Sequence, residues 1–356
     1  MTPLSRLQAA LATFEADAVL VSSQVNQRYL SDFSYTDGLQ LVTENAAFLF
    51  TDPRYAEVAK AEVKDFIVLV PDCRQIDALS EVIRSNGIKT LAIEDATLSC
   101  ADFKRYSEVL PCTLTTGASA LIGDLRKVKS PEELERIARA QELTDRAFSH
   151  ILNVLSPSVT EREVALELEF FMRRNGAEDV AFGTIAVSGQ SSSIPHGEPA
   201  DIKLRPGFLT MDFGAKWNGY CSDMTRTVVI GRADEEMKKV YHAVLEAQKR
   251  ALDFLREGVS CYEVDAVARN FIADAGYGKY FTHSLGHGIG MLVHEAPSFS
   301  RYADPSSLLC RGNVMSVEPG IYLEGKYGVR IEDMIAVEQD GSIRNFTKSP
   351  KELIEI

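Results

Sequence analysis

The run Phe208-Leu-Thr-Met-Asp212-Phe-Gly-Ala-Lys-Trp-Asn218-Gly219-Tyr-Cys-Ser-Asp223-Met-Thr-Arg-Thr-Val-Val-Ile230 decides how this chain is read. Two apolar, β-rich stretches, 208–216 and 220–230, flank Asn218-Gly219, the dipeptide that favours positive φ at both central positions of a type I′ turn. In that register position 212 lies opposite 225. Asp223, two residues from 225 on the same strand, then projects to the same face as Asp212, its diagonal neighbour roughly 7–8 Å away at the backbone. Two carboxylates converge on one space.

The stretch that begins at Val314 repeats the arrangement. Runs 314–322 and 327–337 flank Gly325, and a three-residue loop centred there sets Glu318 opposite Glu332. Apolar neighbours surround these acids, as in Leu209-Thr-Met211 and Val314-Met-Ser-Val317. A single such acid reads as a solvated residue on the open face of an antiparallel sheet. Four on two equivalent hairpins do not, because like charges at this range raise one another's pKa unless something positive sits among them. A metal ion is the ordinary answer.

The surroundings of the hairpins are also duplicated. Ser158-Val159-Thr160-Glu161-Arg162-Glu163-Val164 matches Gly258-Val259-Ser260-Cys261-Tyr262-Glu263-Val264 at an offset of 100 positions. Each copy predicts a capping box, Thr160 with Glu163 and Ser260 with Glu263, opening a helix stopped by Gly176 or Gly276. Further on, Arg205 to Gly214 lines up with Arg311 to Gly320 at an offset of 106, which superposes Asp212 on Glu318. The pattern predicts a pseudo-symmetric α+β domain whose halves face one another across a central site.

Upstream, apolar runs at 18–21, 47–50, 66–70 and 91–93 alternate with helical patterns, as in an α/β domain. This half carries no catalytic-looking cluster. The boundary is expected near 123–129, because Ser130-Pro131-Glu132-Glu133 reads as N-cap, N1 proline and capping-box glutamate opening a long helix. The expected division is an α/β domain over 1–124 and an α+β domain over 125–356.

With 356 residues, 45% of them hydrophobic, two domains can each bury a core. The formal net charge of −13 opposes nucleic acid as a partner, since that affinity comes mainly from Lys and Arg neutralising phosphates. Six scattered cysteines with no CxxC pair are the usage of a reduced compartment, and they read as free thiols. Leu4, Leu7, Leu11 and Phe14 at helical spacing make an amphipathic start rather than a signal peptide, and no later run is long enough to span a bilayer. The expectation is a cytoplasmic protein with no membrane partner.

Five of the six histidines lie between 196 and 294. In His283-Ser-Leu-Gly286-His287-Gly288-Ile-Gly290, glycines on both sides of His287 let the backbone approach a ligand or metal closely, which suits a metal-binding imidazole. One histidine among carboxylates favours Mn²⁺, Co²⁺, Fe²⁺ or Zn²⁺ over a thiolate-type zinc site. His196 sits on a loop between Pro195 and Pro199. His150 and His242 fall inside amphipathic helices and receive no role.

These residues resemble a known family. Ser188-Gly189 with Pro195-His196-Gly197, the stretch from Asp212 to Thr227, His283 to Gly290, Glu318-Pro-Gly-Ile-Tyr322 and Gly328-Val-Arg-Ile-Glu332-Asp333 closely resemble the pita-bread-fold metallopeptidases, among them the Xaa-Pro dipeptidase and aminopeptidase P group. The match spans about 125 to 350, and Thr51-Asp52-Pro53-Arg54-Tyr55 resembles part of the creatinase-type N-terminal domain of that group. The resemblance implies that Asp212 chelates one ion, that Asp223 and Glu332 bridge two, and that His287 and Glu318 hold the other. His196, His283 and His294 fall where the family lines its substrate site, and Arg330 fits a residue supporting the ligands from behind. The implied cofactors are two divalent ions, Mn²⁺ first, with Co²⁺, Zn²⁺ or Fe²⁺ as alternatives. The implied reaction is hydrolysis of the bond before proline in short peptides. Glu318 would be the general base, and His294 or His196 would hydrogen-bond the tetrahedral oxyanion. A homodimer is implied as well.

Three other readings share parts of this pattern. A methionine aminopeptidase would have the five ligands but a shorter chain, and creatinase needs no metal. A non-catalytic pita-bread module that binds peptides or proteins would have no use for all five ligands together. Dipeptidase against aminopeptidase stays open on these motifs, with compactness favouring the dipeptidase.

Overall fold

A computed structural model describes residues 1–35 and 37–356, which divide into two compact units, Met1–Arg126 and Lys127–Ile356. In the first unit a mixed six-stranded sheet runs Ile67–Leu69, Ala47–Phe50, Leu39–Thr43, Ala18–Val21, Thr90–Ile93, Thr113–Thr115. Leu39–Thr43 escapes an apolar-run reading because Gln40 interrupts it. That amide is fully buried and donates to the Gln27 carbonyl and the Ser31 hydroxyl, which makes a polar residue tolerable in a central strand. Glu94 ends this unit's core on the strand Thr90–Ile93 side, and every donor around it is used: the backbone N–H groups of Ser22 and Ser23, both serine hydroxyls, and the Asn26 amide.

The second unit is built twice over. Helices Pro131–Ile151 and Glu161–Arg174 precede the strands of its first half, and helices Glu235–Phe254 and Cys261–Asp274 precede those of the second. The equivalence reaches the loops. Thr160 bridges to Lys203 as Ser260 bridges to Leu308, and the backbone N–H of Leu204 donates to Val159 as that of Leu309 donates to Val259, each at 2.9 Å.

Ser130 and Thr160 form their capping boxes with Glu133 and Glu163. The third, predicted at Ser260, does not form: Ser260 is the N-cap, yet its hydroxyl makes no capping bond. Backbone bonds hold that helix start instead, with the Cys261 N–H donating to the Ser307 carbonyl at 2.9 Å.

Both hairpins keep the predicted register. Asp212 pairs with Thr225, Trp217 pairs with Tyr220, and the turn residues Asn218 and Gly219 have φ of 45° and 85°. Val317 pairs with Asp333 and Gly320 with Arg330, leaving Glu318 facing Glu332 across a loop centred on Gly325. The strands are not continuous as expected, however. The first hairpin breaks between Gly207–Phe213/Met224–Ile230 and Ala215–Trp217/Tyr220–Cys221, and the second between Val314–Val317/Asp333–Val337 and Gly320–Leu323/Tyr327–Arg330.

Three of the four acids fall at the breaks, and their backbone N–H groups leave their own hairpins, whereas Asp212 stays paired within Gly207–Phe213. Asp223 donates to the Met334 sulfur, Glu318 to the Leu285 carbonyl, and Glu332 to the Thr225 carbonyl of the other hairpin. The two halves are thereby stitched together at the level where the carboxylates sit.

Candidate metal centre

Asp212, Asp223, His287 and Glu318 line a cavity of about 470 Å³, together with His196, His283, His294 and Arg330. Glu332 is buried off that wall. One ligand atom each of Asp223, His287 and Glu332 lie within 4.8 Å of one another. His287 Nε2 is 3.2 Å from Glu318 Oε1 and 3.6 Å from Asp223 Oδ2. Asp212 stands outside that trio and is held by Arg330, whose guanidinium donates to Oδ2 at 2.6 Å.

The glycines around His287 act through space. A Cβ on Gly286 would lie 2.0 Å from the Ser316 carbonyl oxygen, and one on Gly288 would lie 2.6 Å from that of Ala296. Only glycine lets the short strand Gly286–Gly288 press between its neighbours. The His287 ring is oriented by Nδ1, 3.1 Å from the Gly288 carbonyl oxygen, which turns Nε2 toward the acids.

Electrostatics describe an acid cluster in need of a cation. Burial pushes Asp223 and Glu332 well above the ordinary carboxylate range, and the charges of neighbouring site acids push further. For Glu318 burial pulls the same way, but hydrogen bonding and attraction from His287 outweigh it and hold the acid down. His287 mirrors this: burial opposes its charge, and Glu318 still raises its pKa.

The donor set fits divalent ions on a further count. Oδ1 of Asp212 and Oε1 of Glu332 are buried and have no hydrogen-bond partner among the described residues. Their other oxygens are used, by Arg330 and by the Thr225 hydroxyl at 2.7 Å respectively. Each of these carboxylates is oriented through one oxygen and left short at the other. A buried acceptor without a donor is costly, and a cation relieves it.

Three supporting residues did not stand out in the sequence. Thr225 receives a bond from Arg330 Nε at 2.9 Å and passes one to Glu332. Tyr322 accepts from Arg330 Nη1 at 2.8 Å and meets His283 Nε2 at 3.0 Å, while burial raises its phenol to about 12. Ser316 accepts from the His287 backbone N–H and donates to Glu318. Thr225 was legible as the residue opposite Asp212, and Tyr322 as the end of the Glu318 motif. Ser316 gave no signal beyond its place two residues before Glu318.

The remaining histidines separate by environment. His283 is deep, anchored to Tyr322, and burial lowers its pKa. His294 and His196 are exposed at the cavity, and the His294 ring centroid lies 4.2 Å from that of His287. His150 bonds Glu167 and stacks on Phe171, and His242 packs against Tyr241; neither lines this cavity.

Residues 135–339 match metallopeptidase family M24, and residues 3–128 match the creatinase/prolidase N-terminal domain. The chain belongs to metallopeptidase family M24. This M24 peptidase is 40% identical to the uncharacterized peptidase YqhT of Bacillus subtilis over 99% of both chains. Its fold matches a solved structure of an Xaa-Pro dipeptidase from Bacillus anthracis at a TM-score of 0.95, with 38% identity and 99% of each chain covered. An X-Pro aminopeptidase from Thermotoga maritima matches at 0.91, again at 38% identity, over 99% of this chain and 100% of that one. The architecture is therefore a creatinase-like N-terminal α/β domain followed by the duplicated pita-bread catalytic fold, and the enzyme class is metallopeptidase using divalent metal ions. Among the described residues no helix is long and apolar enough to cross a membrane. All six cysteines are free.

Proposed function

We propose that the M24 peptidase hydrolyses the Xaa-Pro bond of dipeptides and short peptides, using two divalent ions held by Asp212, Asp223, His287, Glu318 and Glu332. The observation that carries the proposal is the grouping of Asp223, His287 and Glu332, with Glu318 against His287 and Asp212 on the wall of the same cavity, and one buried oxygen left unpartnered on each of Asp212 and Glu332. The names of the Bacillus anthracis and Thermotoga maritima proteins support the substrate class. Mn²⁺ is the proposed ion, because oxygen-rich ligation with a single imidazole and no thiolate suits it. When bound, the ions supply Lewis acidity and water activation near neutral pH.

The chain's own residues do the rest. Glu318, held ionised by His287, takes a proton from the attacking water and passes it to the departing proline nitrogen. His294 or His196, on the open side of the cavity, donates a hydrogen bond to the oxyanion. Burial disfavours the charged form of His283, which lines the cavity and is hydrogen-bonded to the buried Tyr322. Arg330 and Thr225 keep Asp212 and Glu332 pointed inward. An Xaa-Pro bond is a tertiary amide with no N–H to recognise, so the apolar wall of Phe182, Ile185 and Val293 is suited to reading ring shape.

The same proposal divides the chain at 124/125, places all this chemistry in the C-terminal domain, and takes the enzyme to be a cytoplasmic homodimer. The deciding experiment is proline release from Ala-Pro beside cleavage of Ala-Pro-Ala, with Mn²⁺ supplied and a metal-stripped control. Turnover of the dipeptide alone assigns a dipeptidase. Turnover of the tripeptide as well assigns an aminopeptidase. Silence on both with Mn²⁺ present overturns the Xaa-Pro reading in favour of a methionine aminopeptidase or a binding module.

A further inference from the structure

His294 is exposed on a loop, yet an oxyanion donor must be placed to within a fraction of an ångström, and the turn that carries it is held in an unusual way. The Gly290 N–H donates to the Leu292 carbonyl at 3.0 Å, closing the turn, and the Gly290 carbonyl accepts from the Cys221 N–H at 2.7 Å. The Leu292 N–H donates to Glu295 Oε1 at 3.0 Å, so the carboxylate next to His294 folds back beneath its own turn. Gly290 makes the room, since a Cβ there would lie 2.5 Å from Glu295 Oε2. That same Oε2 lies 3.2 Å from the ammonium of Lys129.

Both side chains are out of water, Lys129 at 1% exposure and Glu295 at 6%. The lysine is itself fixed at its root. Its backbone N–H donates to the Gly312 carbonyl at 2.8 Å, and the next residue, Ser130, caps the helix Pro131–Ile151. Burying an ion pair gains little stability over an apolar pair of the same volume, because desolvation of both charges offsets their attraction. What the pair adds is direction. It ties a fixed post in the chain to one carboxylate oxygen while the other oxygen ties down the turn.

We propose that Lys129 and Glu295 are positioning residues for His294: Lys129 holds the Glu295 carboxylate, Glu295 holds the turn at 290–292, and the turn presents the imidazole to the substrate. The inference rests on the role given to His294 above. Neither Lys129 nor Glu295 touches substrate or ions in this account, so their effect must pass through His294 and vanish without it.

The test is a double-mutant cycle on Ala-Pro hydrolysis with Mn²⁺, reading kcat, KM and bound metal in Lys129→Met, His294→Ala and the pair together. Lys129→Met is expected to lower kcat about tenfold or more, the scale of a small misplacement of a reacting group, with KM and metal content unchanged. Added to His294→Ala it is expected to lower kcat no further, and Lys129→Arg is expected to restore part of the loss. Equal losses in both backgrounds, no loss at all, or loss of bound metal would overturn the positioning role. Full turnover by His294→Ala overturns the assignment of His294 itself, which separates the two failures. If Lys129→Met is not recovered folded, Lys129→Met with Glu295→Gln removes both charges together while keeping an acceptor for Leu292, and the same cycle is read with that pair.

Discussion

Two buried carboxylates, one in each unit, show how this protein treats charge in two ways. Glu94 of Met1–Arg126 is fully buried and accepts from two backbone N–H groups, two hydroxyls and an amide, so both of its oxygens are used. Glu332 of Lys127–Ile356 is 1% exposed, has one oxygen bonded to Thr225, and keeps the other without a partner among the described residues. Burial is the same and satisfaction differs. An acid that holds a fold together is surrounded by donors, whereas one that awaits a cation is oriented and then left short.

The sharpest way to break this contrast is to remove what the unsatisfied acids are proposed to hold. Stripping metal with a chelator is expected to abolish Ala-Pro hydrolysis, with recovery on adding Mn²⁺; an ion-free enzyme running at full rate would remove the reason for the orphan oxygens. Glu318→Gln keeps the volume and removes the base, and kcat is expected to fall by roughly 10²–10⁴-fold in proline-release assays while the circular dichroism spectrum stays unchanged.

The satisfied acid should behave in the opposite sense. Glu94→Gln is expected to destabilise Met1–Arg126 by about 1–3 kcal/mol in denaturant unfolding, because a charged acceptor that serves several donors is lost. The kcat of the remaining folded enzyme should not move. Glu332→Gln in metal-free protein is expected to raise thermal stability slightly at neutral pH, since it relieves repulsion from Glu318 and Asp212. With Mn²⁺ present the order should reverse, because the variant loses an ion ligand.

The smallest effect tests an exposed acid with one well-bonded oxygen. Asp17 is hydrogen-bonded by the backbone of Thr90 and Lys89 and by the Thr90 hydroxyl, and its pKa is lowered chiefly by the Thr90 backbone bond. A depressed folded pKa adds stability above the unfolded value and loses it as pH falls through the folded one. Asp17→Asn should therefore lower the melting temperature by a few degrees at most at neutral pH, and the gap should close below the ordinary carboxylate range.

Much of the site was legible because local geometry carried it. Asn218-Gly219 and the loop around Gly325 set both hairpin registers, and a register assigns faces, so the convergence of Asp212 with Asp223 and of Glu318 with Glu332 followed from counting residues. The glycines around His287 marked a close approach that the Ser316 and Ala296 carbonyls do make. The Ser260 capping box failed for the converse reason: the local signal was present, but a backbone bond from Cys261 to Ser307 supplied the tie from 46 residues away.

What the sequence determined by itself was periodicity, turn type and the residues on each face, since these depend on neighbours a few positions apart. Only the tertiary structure decided where the hairpins break, because the N–H groups of Asp223, Glu318 and Glu332 find partners on other elements. It alone joined Arg330 to Asp212 and Lys129 to Glu295, pairs far apart in the chain. Such contacts leave no periodic trace. They add direction more than stability, since desolvation offsets much of the attraction, and which charges meet is known only once the two halves have closed on one another.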